Sequence, residues 1–353
     1  MDAPILTELQ LNRALLARQR LLERSAGSIE AAIEQVGGLQ TQNARSGYIG
    51  LWSRLSGLAR DDYTRALEER RLVQGWLMRV TIHTVSAADY WPMAVAVRRA
   101  RRAWWLRSWG RIATEADMER TADVVAALLT DGPMRQRDLQ ARLADAGFPK
   151  ELWNGVGLWL DLVRVPPQGT WDRPRADNYG LAVDWVAPVD IGEEAAREHL
   201  LRRYLAAFGP AALADAAGWT GLTVGELQPV VERMEVRTFR DERGRTLIDL
   251  PGAPLPDAET PAPPRFLGSF DACLLVQARR TGILPEAYRS IIFDVRAPQS
   301  FHTFLLDGRV AGTWRFTDGD VTLVPLRKLT PAESTALEEE AHRLAAFARG
   351  PSA

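Results

Sequence analysis

The sequence lacks the features of several protein classes. Among its 353 residues it has one cysteine, Cys273, which excludes an intramolecular disulfide and indicates a reducing compartment, the cytoplasm. The four histidines are scattered, with no Cys/His spacing typical of zinc, so neither a metal nor another cofactor is expected. The sequence contains no apolar run of 18 residues, so no membrane span is predicted. No basic segment leads into an apolar run, so no signal peptide is predicted.

Lysine is also scarce, because Lys150 and Lys328 are the only lysines among 44 basic residues. We favour a high-GC genome as the explanation of this bias, although arginine also suits forked contacts to phosphate. The net charge is −1, but residues 1–180 carry 25 Lys+Arg and 21 Asp+Glu, giving +4, whereas residues 181–353 carry 19 and 24, giving −5. This polarity favours an anionic partner for the N-terminal half.

A pattern of helix, short helix, longer helix and β hairpin recurs along the chain. It runs from about residue 124 to 165 and again from about 194 to 250, with the Gly-Pro pairs at 132–133 and 209–210 lying 77 residues apart, and residues 9–85 can be laid out in the same order. That order is typical of a winged helix. We predict an α+β, mainly helical fold, with winged helices at 1–110, 111–190 and 191–250, a proline-rich linker at 251–265, and a small β domain with a terminal helix at 266–353.

Alternating apolar residues predict the strands of the C-terminal domain. Asp307-Gly308 and Asp318-Gly319 are hairpin signals. A closing amphipathic helix is expected over Pro331–Arg349, with Glu338, Glu339 and Glu340 on a solvated face. The predicted strands are Phe266–Val276, Ser290–Val295, Ser300–Leu306, Arg309–Phe316 and Val321–Pro325.

Two glutamines follow a glycine pair where a helix is predicted to run from near Gln42 to Leu55. Carboxamides are costly to bury, so Gln40 and Gln42 at such a break indicate amides aimed at a ligand or a water. Glutamine does not titrate, but its carbonyl oxygen can hold a water and direct a dipole at developing positive charge. The alternative is that both side chains cap the helix or face solvent.

Three further segments carry candidate residues. Residues 98–111 contain six arginines and three tryptophans, typical of phosphate contacts over an anchored face or of an ordinary amphipathic helix; either way the tryptophans are expected in the core. Residues 164–175 form a proline-stiffened, wing-like loop that could enter a DNA groove or be a plain surface turn. Arg79 and His83 share one side of a predicted strand, where His83 could contact DNA or bond a backbone carbonyl.

These motifs, in this order from about residue 7 to 330, resemble the winged-helix family of AlkZ- and YcaQ-like DNA glycosylases. The resemblance implies a C-shaped body whose concave face binds duplex DNA, with Gln40 and Gln42 as the catalytic pair. Thr41 stands where that family usually has an aliphatic residue. Asp271 is a possible secondary residue, because a carboxylate can stabilise an oxocarbenium ion. The DNA-binding residues implied are Arg45, Arg79, His83, Arg98, Arg101, Arg102, Arg173 and Arg175.

The expected function is therefore that of a monofunctional DNA glycosylase. It would hydrolyse the N-glycosidic bond of alkylated purines in double-stranded DNA, with bulky N7-alkylguanine adducts or interstrand crosslinks as substrates. We expect a monomer that acts at the nucleoid in the bacterial cytoplasm, with a role in antibiotic self-resistance. The alternative is a non-catalytic winged-helix regulator or lesion sensor, since winged helices mostly serve binding. Against it, residues 150–162 are mostly apolar and suit base readout poorly.

Overall fold

The protein is an α+β molecule in which helices predominate. Its computed structural model describes residues 3–275, 282–294, 299–317 and 319–350. The helices are α1 Glu8–Arg18, α2 Ile29–Gln35, α3 Ala44–Trp52, α4 Arg60–Glu68, α5 Ala87–Trp109, α6 Glu115–Leu128, α7 Gln136–Asp145, α8 Trp153–Trp159, α9 Ala182–Trp185, α10 Glu193–Phe208, α11 Leu213–Thr220, α12 Val224–Arg233, α13 Arg289–Ile292 and α14 Pro331–Arg349.

The described strands form four sheets, in the orders β2-β4-β3-β6-β7-β5, β1-β8-β9, β10-β13-β14-β15 and β11-β12. Between these strands all pairings are antiparallel except that of β1 with β8. The strands are β1 Ile5–Leu6, β2 Leu39–Gln40, β3 Leu72–Trp76, β4 Ile82–Ser86, β5 Met134–Arg135, β6 Leu162–Arg164, β7 Asn178–Leu181, β8 Arg237–Asp241, β9 Thr246–Asp249, β10 Arg265–Leu267, β11 Phe293–Asp294, β12 Gln299–Ser300, β13 Thr303–Leu306, β14 Arg309–Thr317 and β15 Asp320–Pro325.

Capping residues set the helix starts that position the site. Ser28 accepts a hydrogen bond from the Ala31 amide at the start of α2, and Ser86 caps α5 in the same way. The helix expected from near residue 42 instead begins at residue 44, because the Asn43 side chain caps it. Gln40 therefore lies on strand β2 and Gln42 in the turn between β2 and α3.

Three C-terminal expectations are wrong. The strand predicted from Ser290 begins only at Phe293, because Arg289–Ile292 form the short helix α13. The strand predicted from residue 266 to 276 ends at Leu267, and a 3-10 helix spans Ala272–Leu274, since Asp271 caps it through the Cys273 amide. Glu340 is fully buried rather than solvated, because its carboxylate pairs with Arg24 and Arg343. The hairpin at Asp307-Gly308 is confirmed, with both residues at positive φ. Asp318 lies outside the described residues.

Long-range packing joins the segments that the sequence assigns to separate units. The six-stranded sheet takes β2, β3 and β4 from the first segment and β5, β6 and β7 from the second. Strand β1 pairs with β8 of the third segment, and α5 packs along α10. The boundaries at 110, 190 and 250 and the winged-helix count stay predictions. No described helix is long and apolar enough to cross a membrane.

Candidate active site

A tight turn places the glutamine motif at the edge of the six-stranded sheet. Gly37 and Gly38 have φ of 75° and 83°, the left-handed region that suits glycine, and they end α2. A Cβ on Gly38 would lie 2.9 Å from Val85 Cγ1, so the chain passes too close to β4 for a larger residue. The next residues form β2, where Gln40 lies opposite His83. Directly opposed residues share a face, so both side chains emerge on the same side.

Gln40 is held in one orientation by Arg79. The Gln40 side chain is 7% exposed, and its Oε1 accepts a hydrogen bond of 2.8 Å from Arg79 Nη2. Its Nε2 makes no hydrogen bond to a described residue. Because a carbonyl oxygen has two lone pairs, one remains for a water or a substrate group. The Gln40 carboxamide is thus held in one orientation and can still accept a second hydrogen bond.

Gln42 is exposed, and its Oε1 accepts a 3.0 Å hydrogen bond from the Ile82 amide at the start of β4. Thr41, between the two glutamines, is fully buried, and its hydroxyl lies 3.0 Å from that of Thr84. This bond accounts for Thr41 at the position where the family resemblance implies an aliphatic residue. Successive side chains of an extended segment point to opposite faces, so Thr41 turns inward and Gln42 outward.

Arg79 comes from a strained turn between β3 and β4. Arg79 and Val80 have φ of 54° and 60°, and left-handed backbone is unfavourable for a β-branched residue. Arg79 Nη1 donates to the Trp219 carbonyl at 3.0 Å, which anchors it to α11. Among the described residues no carboxylate pairs with Arg79, and burial lowers its pKa to about 10. A partly buried, unpaired cation therefore lies beside Gln40.

His83 is 2% exposed and neutral. Its burial, and next the Arg79 charge, lower its pKa to about 3. Its Nδ1 lies 3.1 Å from the Thr81 carbonyl, so that nitrogen carries the proton and Nε2 is the acceptor. This matches the backbone-carbonyl alternative stated for His83. Contact with DNA stays a prediction for this residue.

Arginines of α5 have partners within the chain. Arg98 pairs with Asp161 at 2.6 Å, and Arg101, 3% exposed, bonds the Trp76 carbonyl and lies 3.5 Å from the same aspartate. Arg102 donates to the carbonyls of Leu158 and Trp159 at 3.1 Å. These contacts stabilise the packing of α5 on α8, and a DNA role for the three arginines stays a prediction.

Tryptophans of the same helix depart from the expectation that all are core. Trp105 is 2% exposed, but Trp104 and Trp109 are 45% and 37% exposed. Arg107 and Arg111 are exposed and have no ion pair to a described residue. Arg107 belongs to the arginine-rich segment predicted from the sequence but is not among its individually named residues, although its spacing of three from Trp104 places the two on one helix face.

The loop between β6 and β7 contacts α3. Trp171 is buried, and Arg45 of α3 donates to its carbonyl at 3.2 Å while the guanidinium lies 5.1 Å from its ring centre. Arg173 and Arg175 are exposed, and Arg175 pairs with Asp177 at 2.7 Å. Their DNA contacts stay predictions, and Arg45 is the member of the predicted set that lies three residues from Gln42.

Asp271 is not open to a substrate. It is 6% exposed, and both its oxygens accept 3.0 Å hydrogen bonds from Arg54, which is fully buried. The carboxylate neutralises that guanidinium inside the core, so the structure does not support a secondary catalytic role. Of the remaining described residues, no group of three His, Cys, Asp or Glu side chains is arranged to hold a metal.

Comparison with known proteins adds three findings. The family model for AlkZ-like DNA glycosylases matches residues 33–347. The interstrand DNA cross-link repair glycosylase of Streptomyces sahachiroi is 26% identical, covering 94% of this chain and 93% of that protein. The solved structure of the DNA glycosylase AlkZ from the same organism matches with a TM-score of 0.81 at 19% identity, covering 98% of each chain. This last likeness shows the fold.

Proposed function

This chain belongs to the AlkZ-like DNA glycosylase family, and from that premise we propose that Gln40 and Gln42 hydrolyse the N-glycosidic bond of alkylated purines in double-stranded DNA. The observation that carries the proposal is the pair of oriented carboxamides at one sheet edge. Arg79 fixes Gln40 and the Ile82 amide fixes Gln42, each through one lone pair of the carbonyl oxygen.

Cleavage of the N-glycosidic bond needs little catalytic assistance from the protein when the base is already cationic. Alkylation at N7 of guanine gives the purine a positive charge, so the base leaves as a neutral molecule when the C1′–N9 bond breaks. The sugar then carries oxocarbenium character, water adds at C1′, and the proton that this water loses passes to solvent. The free lone pairs of Gln40 Oε1 and Gln42 Oε1 can accept hydrogen bonds from that water and place it. A non-titrating pair supplies positioning and dipole rather than proton transfer.

We propose bulky N7-alkylguanine adducts or interstrand crosslinks as the substrates. The relative from Streptomyces sahachiroi is by its name an interstrand DNA cross-link repair glycosylase. The exposed position of Gln42 suits a bulky lesion, because the reacting residue lies at the surface rather than in a closed pocket. A monomer working at the nucleoid in the bacterial cytoplasm and a role in antibiotic self-resistance stay predictions. Family membership favours the enzyme over a non-catalytic regulator.

The chain is proposed to have no lyase activity. Lyase chemistry needs an amine that forms a Schiff base with the sugar. The chain has only two lysines, Lys150 and Lys328, and both lie on segments remote in sequence from the glutamine motif.

The test is to incubate the purified protein with duplexes carrying either an N7-alkylguanine or an N7-linked interstrand crosslink. We expect mass spectrometry to detect the released base or the unhooked strand, and the product strand to break only after alkaline treatment. Absence of released base from both duplexes would contradict the proposed function. Strand cleavage without alkali would contradict its monofunctional character.

A further inference from the structure

A small cavity lies against Arg79, the residue whose guanidinium also bonds Gln40. It has a volume of about 240 Å³ and lies between α5, the β3–β4 turn and the end of α11. Three arginines and an indole contribute to its wall, and no carboxylate is among the described residues that line it. Those residues are Arg79, Val80, Val97, Ala100, Arg101, Trp104, Arg107, Thr220 and Gly221.

Arg79 brings unused donors to this cavity. A guanidinium has five N–H groups. One of them bonds Gln40 Oε1 and another the Trp219 carbonyl, so three find no partner among the described residues. Arg101 differs, because Asp161 already neutralises it. A desolvated cation without an internal partner is a binding site for an anion from outside.

Arg107 and Trp104 complete the opening. They lie one turn apart on α5, and both are exposed, Trp104 by 45%. No described carboxylate pairs with Arg107. A volume of about 240 Å³ is below the ~300–1,000 Å³ of pockets for drug-sized ligands, so a compact group fits better than a whole nucleotide. Two arginines and an indole suit a phosphodiester whose sugar packs against the ring.

We propose that this cavity binds one phosphodiester of the DNA duplex, held between Arg79 and Arg107 with Trp104 against the adjoining sugar. The proposal rests on the proposed action of the chain on double-stranded DNA. Arg79 is then a positioning residue, because the same guanidinium that grips the phosphate orients the Gln40 carboxamide. Backbone binding and the setting of the catalytic amide are joined through one side chain.

The salt dependence of binding to an undamaged duplex tests the phosphate contact. Each phosphate contact contributes about 0.9 to the slope of log K against log salt concentration. We expect Arg107→Gln to reduce the magnitude of that slope by about 0.9 relative to the native protein. Lys328→Gln, which removes another exposed cation with no described ion pair, is the matched control and leaves the slope unchanged. An unchanged slope in Arg107→Gln, or an equal loss in the control, would overturn the proposal.

Arg79 is tested with Arg79→Lys rather than Arg79→Gln, because glutamine would remove the charge as well as the anchor to α11. Arg79→Lys keeps the charge but not the fork, so we expect it to retain the salt slope while the excision rate at saturating protein falls at least tenfold. Retention of both slope and rate would refute the positioning role.

The source of the phosphate is tested with inorganic phosphate. Should inorganic phosphate raise the melting temperature of the native protein but not of Arg107→Gln, with the DNA slope equal in both, the cavity would be a site for a free anion and the proposal would fall. Because the slope is measured on undamaged DNA, it judges the cavity even where no alkylated base is excised. A failure of the proposed glycosylase function can therefore be distinguished from a failure of the proposed phosphate site.

Discussion

His83 shows what burial does to a residue beside the proposed catalytic pair. Its pKa of about 3 lies below the ordinary 6.5, so the unfolded chain binds a proton that the folded chain refuses. The contribution of this pKa difference to the free energy of unfolding is fully present above pH 6.5 and is lost as the pH falls toward 3. A neutral ring with so low a pKa is also too weak a base to activate water at pH 7.

We therefore expect the free energy of unfolding to fall more steeply with acid in the native protein than in His83→Asn, which keeps a donor for the Thr81 carbonyl. Between pH 7 and pH 5 the difference should be about 2 kcal/mol. His302, whose pKa burial lowers to about 4, is present in both proteins and cancels. Urea unfolding at both pH values measures the effect, and parallel curves for the two proteins would refute it.

Asp271 and Arg54 make a second prediction at this scale. Removing one partner of a buried ion pair leaves an unpaired charge, at a cost of about 3–5 kcal/mol. Asp271→Asn should lower the free energy of unfolding by that order, yet leave the single-turnover excision rate of the folded fraction unchanged. A rate loss of a hundredfold or more with little loss of stability would restore Asp271 as a secondary catalytic residue.

The residue types of the site could be predicted from the sequence, but their partners could not. The glutamines follow a glycine pair that the sequence makes plain, and the left-handed φ of both glycines agrees with that signal. Nothing in the sequence links Arg79 to Gln40 or Arg101 to Asp161, because these contacts join segments 39 and 60 residues apart. Local patterns do not encode which of several arginines a fold will bury.

Helix α3 fits its neighbours so closely that one of its glycines is required. A Cβ on Gly47 would collide with the Tyr63 hydroxyl and lie 2.8 Å from its ring carbon Cζ. Tyr63 is fully buried and bonded to Thr84, so it has no room to move. Gly47→Ala should destabilise the protein by about 1–3 kcal/mol despite the better helix propensity of alanine.

Gly218 in α11 is the matched control. It is exposed, and no heavy atom lies within 4 Å of a Cβ built there. Gly218→Ala should stabilise by up to about 1 kcal/mol through helix propensity alone. Thermal unfolding of the two variants measures both effects, and a shift of the same sign in both would contradict the packing explanation.

Elements whose apolar spacing is regular could be predicted from the sequence, and irregular ones could not. Helix α14 spans the residues expected, because Thr330 caps it and Pro331 begins it. The strand expected to reach residue 276 ends at Leu267, and further along Asp271 bonds the Cys273 amide and starts a 3-10 helix in place of extended backbone. The prediction that Glu340 faces solvent is wrong for another reason. Its burial depends on a tertiary contact with Arg24, which local sequence patterns do not reveal.

At the scale of the whole molecule, contacts distant in sequence build the site. Gln40 comes from β2, Arg79 from the β3–β4 turn, and the carbonyl that anchors Arg79 from α11. Arg164 of β6 donates to the Thr41 carbonyl at 3.2 Å, so the second segment also contacts the motif. The amides therefore depend on segments that the sequence divides into three units.

The central claim is that two carboxamides, and no titrating group, carry the hydrolysis. The most direct measurement is the single-turnover rate of base release from an N7-alkylguanine duplex for the native protein, Gln40→Ala and Gln42→Ala, with binding affinity measured alongside. We predict that each variant loses at least a hundredfold in rate, as expected for removal of a preorganised polar group, and keeps its affinity for the duplex. Native rates in both variants, at equal binding and folding, would contradict the account.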